Sequence, residues 1–263
     1  MEPKISVIMS VFNDQNFLEQ AIESVLDQTF QDFEFIICND CSTDNSENII
    51  LEMMQKDPRI VYIKNEKNLG LAASLNKCIL KSTTPFLARM DSDDICFPNR
   101  LDVEYKYLID NPYCAVVGSH SLIIDNQNNI IRESAKLKKD LLLKDCLQKS
   151  SLIHPSVMMR KEFIQKVGMY SVNPLTQRAE DYDLWCKLSS NGYKLNNLED
   201  KLLYYREGVS GLKKRKYKFR IQEFRIKFYW NKKMKFLSSN FIYVIKPLII
   251  GLIPVKIYKI LKN

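Results

Sequence analysis

Apolar residues in the first hundred positions follow two patterns, short unbroken runs and runs spaced by three and four. Residues 5–12 (ISVIMSVF) form a nearly continuous apolar run, the mark of a strand covered on both faces. Leu18, Ile22 and Val25, with Phe17 and Ala21 beside them, repeat at helical spacing. Residues 33–38 (FEFIIC) predict a second strand, and capping residues at 39–46 lead into a helix ending near Lys56. Residues 60–64 and 86–90 predict two further strands, with a helix over 69–81 between them. Pro98 is placed as the first residue of a helix running to about Ile109. This alternation predicts an α/β fold, with a Rossmann-like, mostly parallel central sheet, right-handed crossovers and flanking helices.

The pattern is less regular further on. Residues 122–125 and 130–132 flank an Asn-rich turn and predict a hairpin, and 156–160 predicts a strand. A helix is expected over 180–190, closed by Gly192, then two strands at 193–198 and 202–205. In parallel sheets ligands sit beyond the carboxyl ends of the strands. The polar residues that follow the predicted strands are Asn13-Asp14, Asn39-Asp40 and Asp91-Ser92-Asp93-Asp94. All should meet at one edge. Asp91 and Asp93, two apart in extended chain, can face one ligand, and paired carboxylates suit Mn²⁺ or Mg²⁺ on a substrate phosphate. The alternative for that segment is a solvated acidic turn.

Composition removes several other classes. With 46% apolar residues in 263, the chain can bury a sizeable core and is not disordered. Glu2 and Lys4 lead straight into the first apolar run without a signal-cleavage pattern, so the seven cysteines are expected as reduced cytosolic thiols. Cys38 and Cys41 have redox-motif spacing, but Cys38 belongs to a strand pattern, which favours a buried thiol. Zinc lacks a second cysteine pair. Neither the G-x-G-x-x-G turn nor the G-x-x-x-x-G-K-[ST] loop is present. With seven glycines in all, phosphate charge calls for a metal more than a backbone cradle. Glu180, Asp181 and Asp183 open the helix predicted at 180–190; they serve either its dipole or, through one carboxylate, general-base catalysis.

Four ordered blocks carry a resemblance: ISVIMSVFN, ICNDCSTDNS, NLGLAASLN with ARMDSDD, and RAEDYDLW. Together, over about residues 3–206, they resemble the family 2 inverting glycosyltransferases with the GT-A fold, of the type that builds bacterial O-antigen and capsular polysaccharide. The resemblance implies roles for the matching positions. Phe12 and Asn13 would lie near the nucleotide base and ribose, and Asp40 beside the uracil ring. Asn68 and Asn76 would belong to the nucleotide-sugar site. Asp91 would approach the ribose and join Asp93 in holding the cation. Asp181 would be the catalytic base, with His154, Glu180 and Trp185 on the acceptor side. One departure stands out: Leu75 occupies the place of a usual arginine, so Arg89 and Arg206 become the candidate diphosphate contacts. The implied reaction is a single in-line displacement that turns an α-linked donor into a β-glycoside.

Charge is distributed unevenly. Residues 213–263 carry 15 of the 39 basic side chains against one acid, Glu223. The rest of the chain is mildly acidic. Residues 1–210 are therefore expected as the catalytic domain (1–97 the nucleotide-sugar half, 98–210 the acceptor half), and 211–263 as a basic, amphipathic helical tail. Tyr217, Ile221, Phe224 and Phe228 form an aromatic stripe at helical spacing. Residues 241–255 are apolar but broken by Lys246, Pro247 and Pro254, short of the ~20 residues a span needs. The tail predicts an anionic membrane surface as partner, or packing on the catalytic domain; nucleic acid has no use for so apolar a segment. The resemblance implies a lipid-diphosphate-linked GlcNAc or GalNAc as acceptor, UDP-glucose or UDP-galactose as donor, and the cytoplasmic face of the bacterial inner membrane as location. The alternatives are a hexosaminyl- or rhamnosyltransferase of the same fold, or a non-catalytic nucleotide-sugar-binding subunit.

Overall fold

The computed structural model describes residues 2–207 and 217–252. Its first half is a regular alternation: β1 (Ile5–Val11), α1 (Leu18–Leu26), β2 (Phe33–Asn39), α2 (Ser46–Lys56), β3 (Ile60–Lys64), α3 (Leu71–Lys81) and β4 (Phe86–Met90). β1 pairs in parallel with both β2 and β4, and β2 with β3. Strands with this two-sided apolar pattern must be covered on both faces, and they are. α1 turns Leu18, Ala21, Ile22 and Val25 onto one face of the sheet, and α3 turns Leu75, Cys78 and Ile79 onto the other.

The second half departs more from expectation. After β5 (Ile95–Cys96), α4 spans Arg100–Asp110, two residues later than Pro98 implied. The Pro98 carbonyl accepts the Thr29 N–H at 2.8 Å and so stays in the preceding turn. The strand expected at 122–125 is the end of β6 (Cys114–Ile124). Its first part was hidden by the polar run Gly118-Ser119-His120-Ser121. A Cβ at Gly118 would lie 3.0 Å from both Asn197 Oδ1 and Leu152 Cδ2, so glycine marks close packing here rather than a turn. β7 (Ile130–Glu133) completes the hairpin, followed by β8 (Asp140–Leu141) and α5 (Leu143–Gln148). A 3-10 turn at His154–Ser156 precedes β9 (Met158–Arg160), α6 (Lys161–Lys166) and α7 (Glu180–Ser190). The two strands expected at 193–205 are one, β10 (Lys194–Arg206); register shifts against β6 carry the polar Glu199-Asp200 break through as a bulge.

The sheet runs β3-β2-β1-β4-β9-β6-β10-β5, with β7 on β6 and β8 on β10. β9 is antiparallel to both β4 and β6, and β10 is parallel to β6. β1, β2, β4 and β10 therefore point the same way, and their carboxyl ends bring residues 12–13, 39–40, 91–94 and 206 to one edge.

Beyond residue 216 lie α8 (Tyr217–Lys233) and α9 (Phe241–Leu252). α8 is integrated into the fold. Ile226 and Trp230 bury against Leu147 of α5 and Ala179, Tyr182 and Cys186 at α7. The indole N–H of Trp230 donates to Asp183 Oδ1 at 2.8 Å, and Asn231 donates to the Leu147 carbonyl. The expected stripe is not the one that docks: Tyr217 and Phe228 are exposed. Apolar residues lie all round this helix, so spacing alone did not choose its inner face. The Trp230–Asp183 bond does. Among the described residues, no helix is long and apolar enough to cross a membrane.

Candidate active site

Two loops build the rim at the ends of β1 and β2. Asn13 holds a left-handed backbone (φ 54°), and its amide oxygen accepts the Thr43 N–H at 2.7 Å. Its own N–H donates to Ser42 Oγ. Phe12 beside it stands half exposed at the same edge. Asp40 is buried, and its carboxylate accepts from Asn65 Nδ2 at 2.7 Å and from the N–H groups of Leu69 and Gly70 at 2.8 Å each. Gly70 has φ 85°, a conformation that costs a side-chain-bearing residue strain, and it starts α3. Asp40, expected beside the uracil ring, thus fixes the loop that carries the exposed Asn68. Asn76 engages the Tyr170 main chain from both ends of its amide, donating at 2.8 Å and accepting at 3.0 Å. It braces the 170 segment from behind rather than reaching toward a nucleotide.

Past β4 the carboxylates crowd together. Ligand oxygens of Asp91, Asp93 and Asp94 all lie within 4.8 Å of one another. Burial pushes Asp93 up to about 7, and the neighbouring Asp91 and Asp14 charges push the same way. Asp94 is raised further by burial; its Oδ1 accepts the Arg206 N–H, while its buried Oδ2 has no protein partner. Asp14 is also raised by burial, against a 2.6 Å hydrogen bond from Ser92. Three clustered carboxylates, with Asp94 Oδ2 buried and unpartnered, fit a hard divalent cation. The sequence had assigned Asp91 and Asp93 to such an ion; Asp94 joins them because the chain turns after β4, which breaks the two-residue alternation.

The two arginines differ. Arg206, expected on the diphosphate, donates to the main-chain carbonyls of Asp93 and Asp125 at 2.7 Å and stacks over Phe17. Its planar fork holds the acidic loop against the end of β10, which leaves it little reach for a ligand. Arg89 is buried and paired with Asp91, and its Nε and Nη1 have no protein partner.

Asp91 and Arg89 also line a cavity of about 510 Å³ with Ser150, His154, Glu180 and Asp181. Asp181 stands in the first turn of α7, where Oδ2 accepts from Ser150 Oγ at 2.8 Å. Burial raises its pKa and the Ser150 bond opposes that rise. Glu180 is raised by burial and by Asp181. His154 Nε2 lies 2.7 Å from the Tyr170 hydroxyl, and burial holds its pKa well below the usual histidine range, so the ring is neutral near pH 7. A second cavity of about 520 Å³ adjoins, sharing Leu71 and Glu180. Trp185, expected on the acceptor side, is instead in the core, 1% exposed, with its ring against His154. Three site residues were missed from sequence: Ser150, Tyr170 and Asp94 as a ligand. The first two reach the site from loops, and no spacing connects them to Asp181 or His154.

The chain is similar to known proteins along nearly its whole length. Residues 6–168 match Glycosyl transferase family 2. An uncharacterized glycosyltransferase of Methanocaldococcus jannaschii is 33% identical, over 99% of this chain and 93% of its own. The amylovoran biosynthesis glycosyltransferase AmsE of Erwinia amylovora is 28% identical over 97% of both chains. The O-antigen biosynthesis glycosyltransferase WbnJ of Escherichia coli is 32% identical over 77% of this chain and 79% of its own. Among solved structures, S. aureus TarS 1–349 in complex with UDP-GlcNAc superposes with a TM-score of 0.69, at 17% identity, covering 92% of this chain and 73% of that one. The mannosyltransferase PcManGT of Pyrobaculum calidifontis, in complex with GDP-Man and Mn²⁺, gives 0.67 at 15% identity, covering 95% and 73%. The fold is GT-A, and the chain belongs to glycosyl transferase family 2.

Proposed function

We propose that this protein is an inverting hexosyltransferase that moves glucose or galactose from a UDP-sugar to a GlcNAc or GalNAc on a lipid diphosphate. It forms a β-linkage during O-antigen or capsular polysaccharide synthesis. The observation that carries the reading is one cavity lined by both Asp181 and Asp91. A base and a cation-binding carboxylate face the same space, which an in-line displacement requires. Asp181 accepts the proton of the acceptor hydroxyl as that oxygen attacks the anomeric carbon, and burial raises its basicity for the task. Ser150 holds the carboxylate in orientation. Neutral His154 offers a hydrogen-bonding edge to the acceptor without adding charge. Phe12, Asn13 and the loop fixed by Asp40 receive the nucleotide. When bound at Asp91, Asp93 and Asp94, Mn²⁺ or Mg²⁺ supplies charge stabilisation to the departing diphosphate. The Mn²⁺ complex of PcManGT supports that part of the reading.

The AmsE and WbnJ relatives support polysaccharide synthesis as the setting. A second reading, a hexosaminyltransferase of the same fold, is favoured by the UDP-GlcNAc complex of TarS. Incubating the protein with UDP-glucose, UDP-galactose, UDP-GlcNAc and UDP-GalNAc, each with synthetic GlcNAc or GalNAc diphosphate lipid, separates the two. Transfer from a UDP-hexose supports the first reading. Transfer from a UDP-N-acetylhexosamine alone assigns the second, and transfer from none of them to either acceptor overturns both. We place the protein at the cytoplasmic face of the bacterial inner membrane, bound peripherally through residues 211–263, with an anionic lipid surface as partner.

A further inference from the structure

We propose that one side of α9, together with the basic elbow joining it to α8, is the face that seats in an anionic lipid headgroup layer. The proposal deepens the membrane reading above and rests on it. At about 100° per residue, Phe241, Ile242, Ile245, Ile249 and Leu252 share one side of α9 within about a 100° arc. Four of them are conspicuously bare: Phe241 is 54% exposed, Ile242 73%, Ile249 53% and Leu252 73%. The opposite side, with Val244, Pro247 and Gly251, faces α8. Contact there is tight, since a Cβ on Gly251 would come within 2.7 Å of the Tyr217 ring. Among the described residues, the apolar side of α9 therefore packs against no other element.

Charge selects the occupant. The elbow is an open concavity of about 580 Å³ lined by Lys232, Lys235, Leu237, Ser238 and Phe241. Neither lysine has a carboxylate partner among the described residues; Glu223, the one acid of the tail, is engaged by Arg220 and Lys227. A second copy of this chain would set lysines against lysines. Anionic headgroups would neutralise them while the adjoining apolar side enters the acyl boundary. Over the described residues α9 has 12 residues and is about 18 Å long, short of a hydrocarbon core of about 30 Å, and that length suits a helix lying along the surface. Its position is also useful. α8 backs onto α7 through the Trp230–Asp183 bond, and α7 carries Asp181. Each helix-to-helix step is about 8–10 Å. α9 thus stands about two such steps from α7, the helix that carries Asp181.

The test is flotation of the full-length protein with vesicles of phosphatidylcholine alone or mixed with phosphatidylglycerol, with UDP affinity as the check on folding. The wild type should bind the anionic vesicles, less as salt rises. Ile242→Glu with Ile249→Glu should lower the partition coefficient by at least about tenfold, since two large apolar side chains leave the interface. Lys232→Gln with Lys235→Gln should abolish most of the preference for phosphatidylglycerol. All variants should keep wild-type UDP affinity. If the double glutamate variant binds vesicles as well as the wild type, the face is wrong while membrane attachment stands. If the wild type binds no vesicles, the membrane reading itself falls. A dimer dissociated by the same two glutamates would then assign the face to a second copy.

Discussion

Asp181 and Ser150 form the contact on which most of the chemistry turns. The carboxylate is desolvated, which raises its proton affinity, and the Ser150 hydroxyl partly reverses that by hydrogen-bonding the charged form. Asp181→Asn should lower kcat by about 10²–10⁴ while leaving UDP affinity near wild type, because the amide keeps the shape and loses the basic oxygen. Steady-state kinetics with calorimetric UDP binding reads both quantities, and retention of most of kcat would move the base to Glu180, which lines the same cavity. Ser150→Ala removes the interaction that favours the ionised base, so the folded pKa of Asp181 rises. A base works only when deprotonated, and activity is lost as pH falls through its pKa. The acid limb of kcat/KM should therefore shift to higher pH in Ser150→Ala and return toward wild type in Ser150→Thr. The three crowded carboxylates predict a third outcome. EDTA should abolish transfer, Mn²⁺ or Mg²⁺ should restore it, and Asp93→Ala should lose the metal-dependent part of UDP binding. Full turnover in chelator would contradict the cation site. Asp91, Asp93 and the candidate base Asp181 could be picked out in sequence because they follow a strand end and open a helix. Ser150 was not, because a loop serine has no periodicity.

Among the elements, the parallel half was readable almost to the residue. β3 and β4 span Ile60–Lys64 and Phe86–Met90 as their apolar runs foretold; β4, buried along its whole length, leaves an unbroken record. β6 and β10 were not readable in full. Gly118 in one and Glu199-Asp200 in the other look like breaks, yet close packing explains the first and a bulge absorbs the second. α8 gives the most consequential difference. Charge and spacing left membrane contact and packing on the catalytic domain both open, whereas the structure buries Trp230 against α7. Trp230→Ala should destabilise the whole protein by about 3–5 kcal/mol, the usual cost of emptying a buried aromatic site, and leave the Asp183 carboxylate without its indole donor. Denaturant titration measures this. A loss below about 1 kcal/mol would mean that α8 is only loosely attached. Truncation after Gly208 would remove α8 as well as α9 and so disturb catalysis on every acceptor. Surface substitutions on α9 separate anchoring from chemistry cleanly.

At the scale of the whole molecule, the chain divides its charge by task. The acidic edge of the sheet gathers Asp14, Asp91, Asp93 and Asp94 where the proposed reading puts a cation and a diphosphate, while the surplus positive charge lies in the C-terminal segment. This division was visible in the sequence, and so was the order of the four motif blocks. The path that joins the two ends was not: it runs from α9 through α8 and Trp230 to α7, and the step from Trp230 to Asp183 joins residues 47 apart in the chain. Asp181 and Asp91 line one cavity, and on the proposed reading that arrangement calls for a single displacement with inversion. The most direct measurement is the anomeric configuration of the new bond, read by proton NMR of the product made from an α-linked UDP-hexose and a diphosphate-linked acceptor. A β-glycoside is the expected result. An α-glycoside would mean retention of configuration and would contradict the assignment of Asp181 as the base of a single displacement.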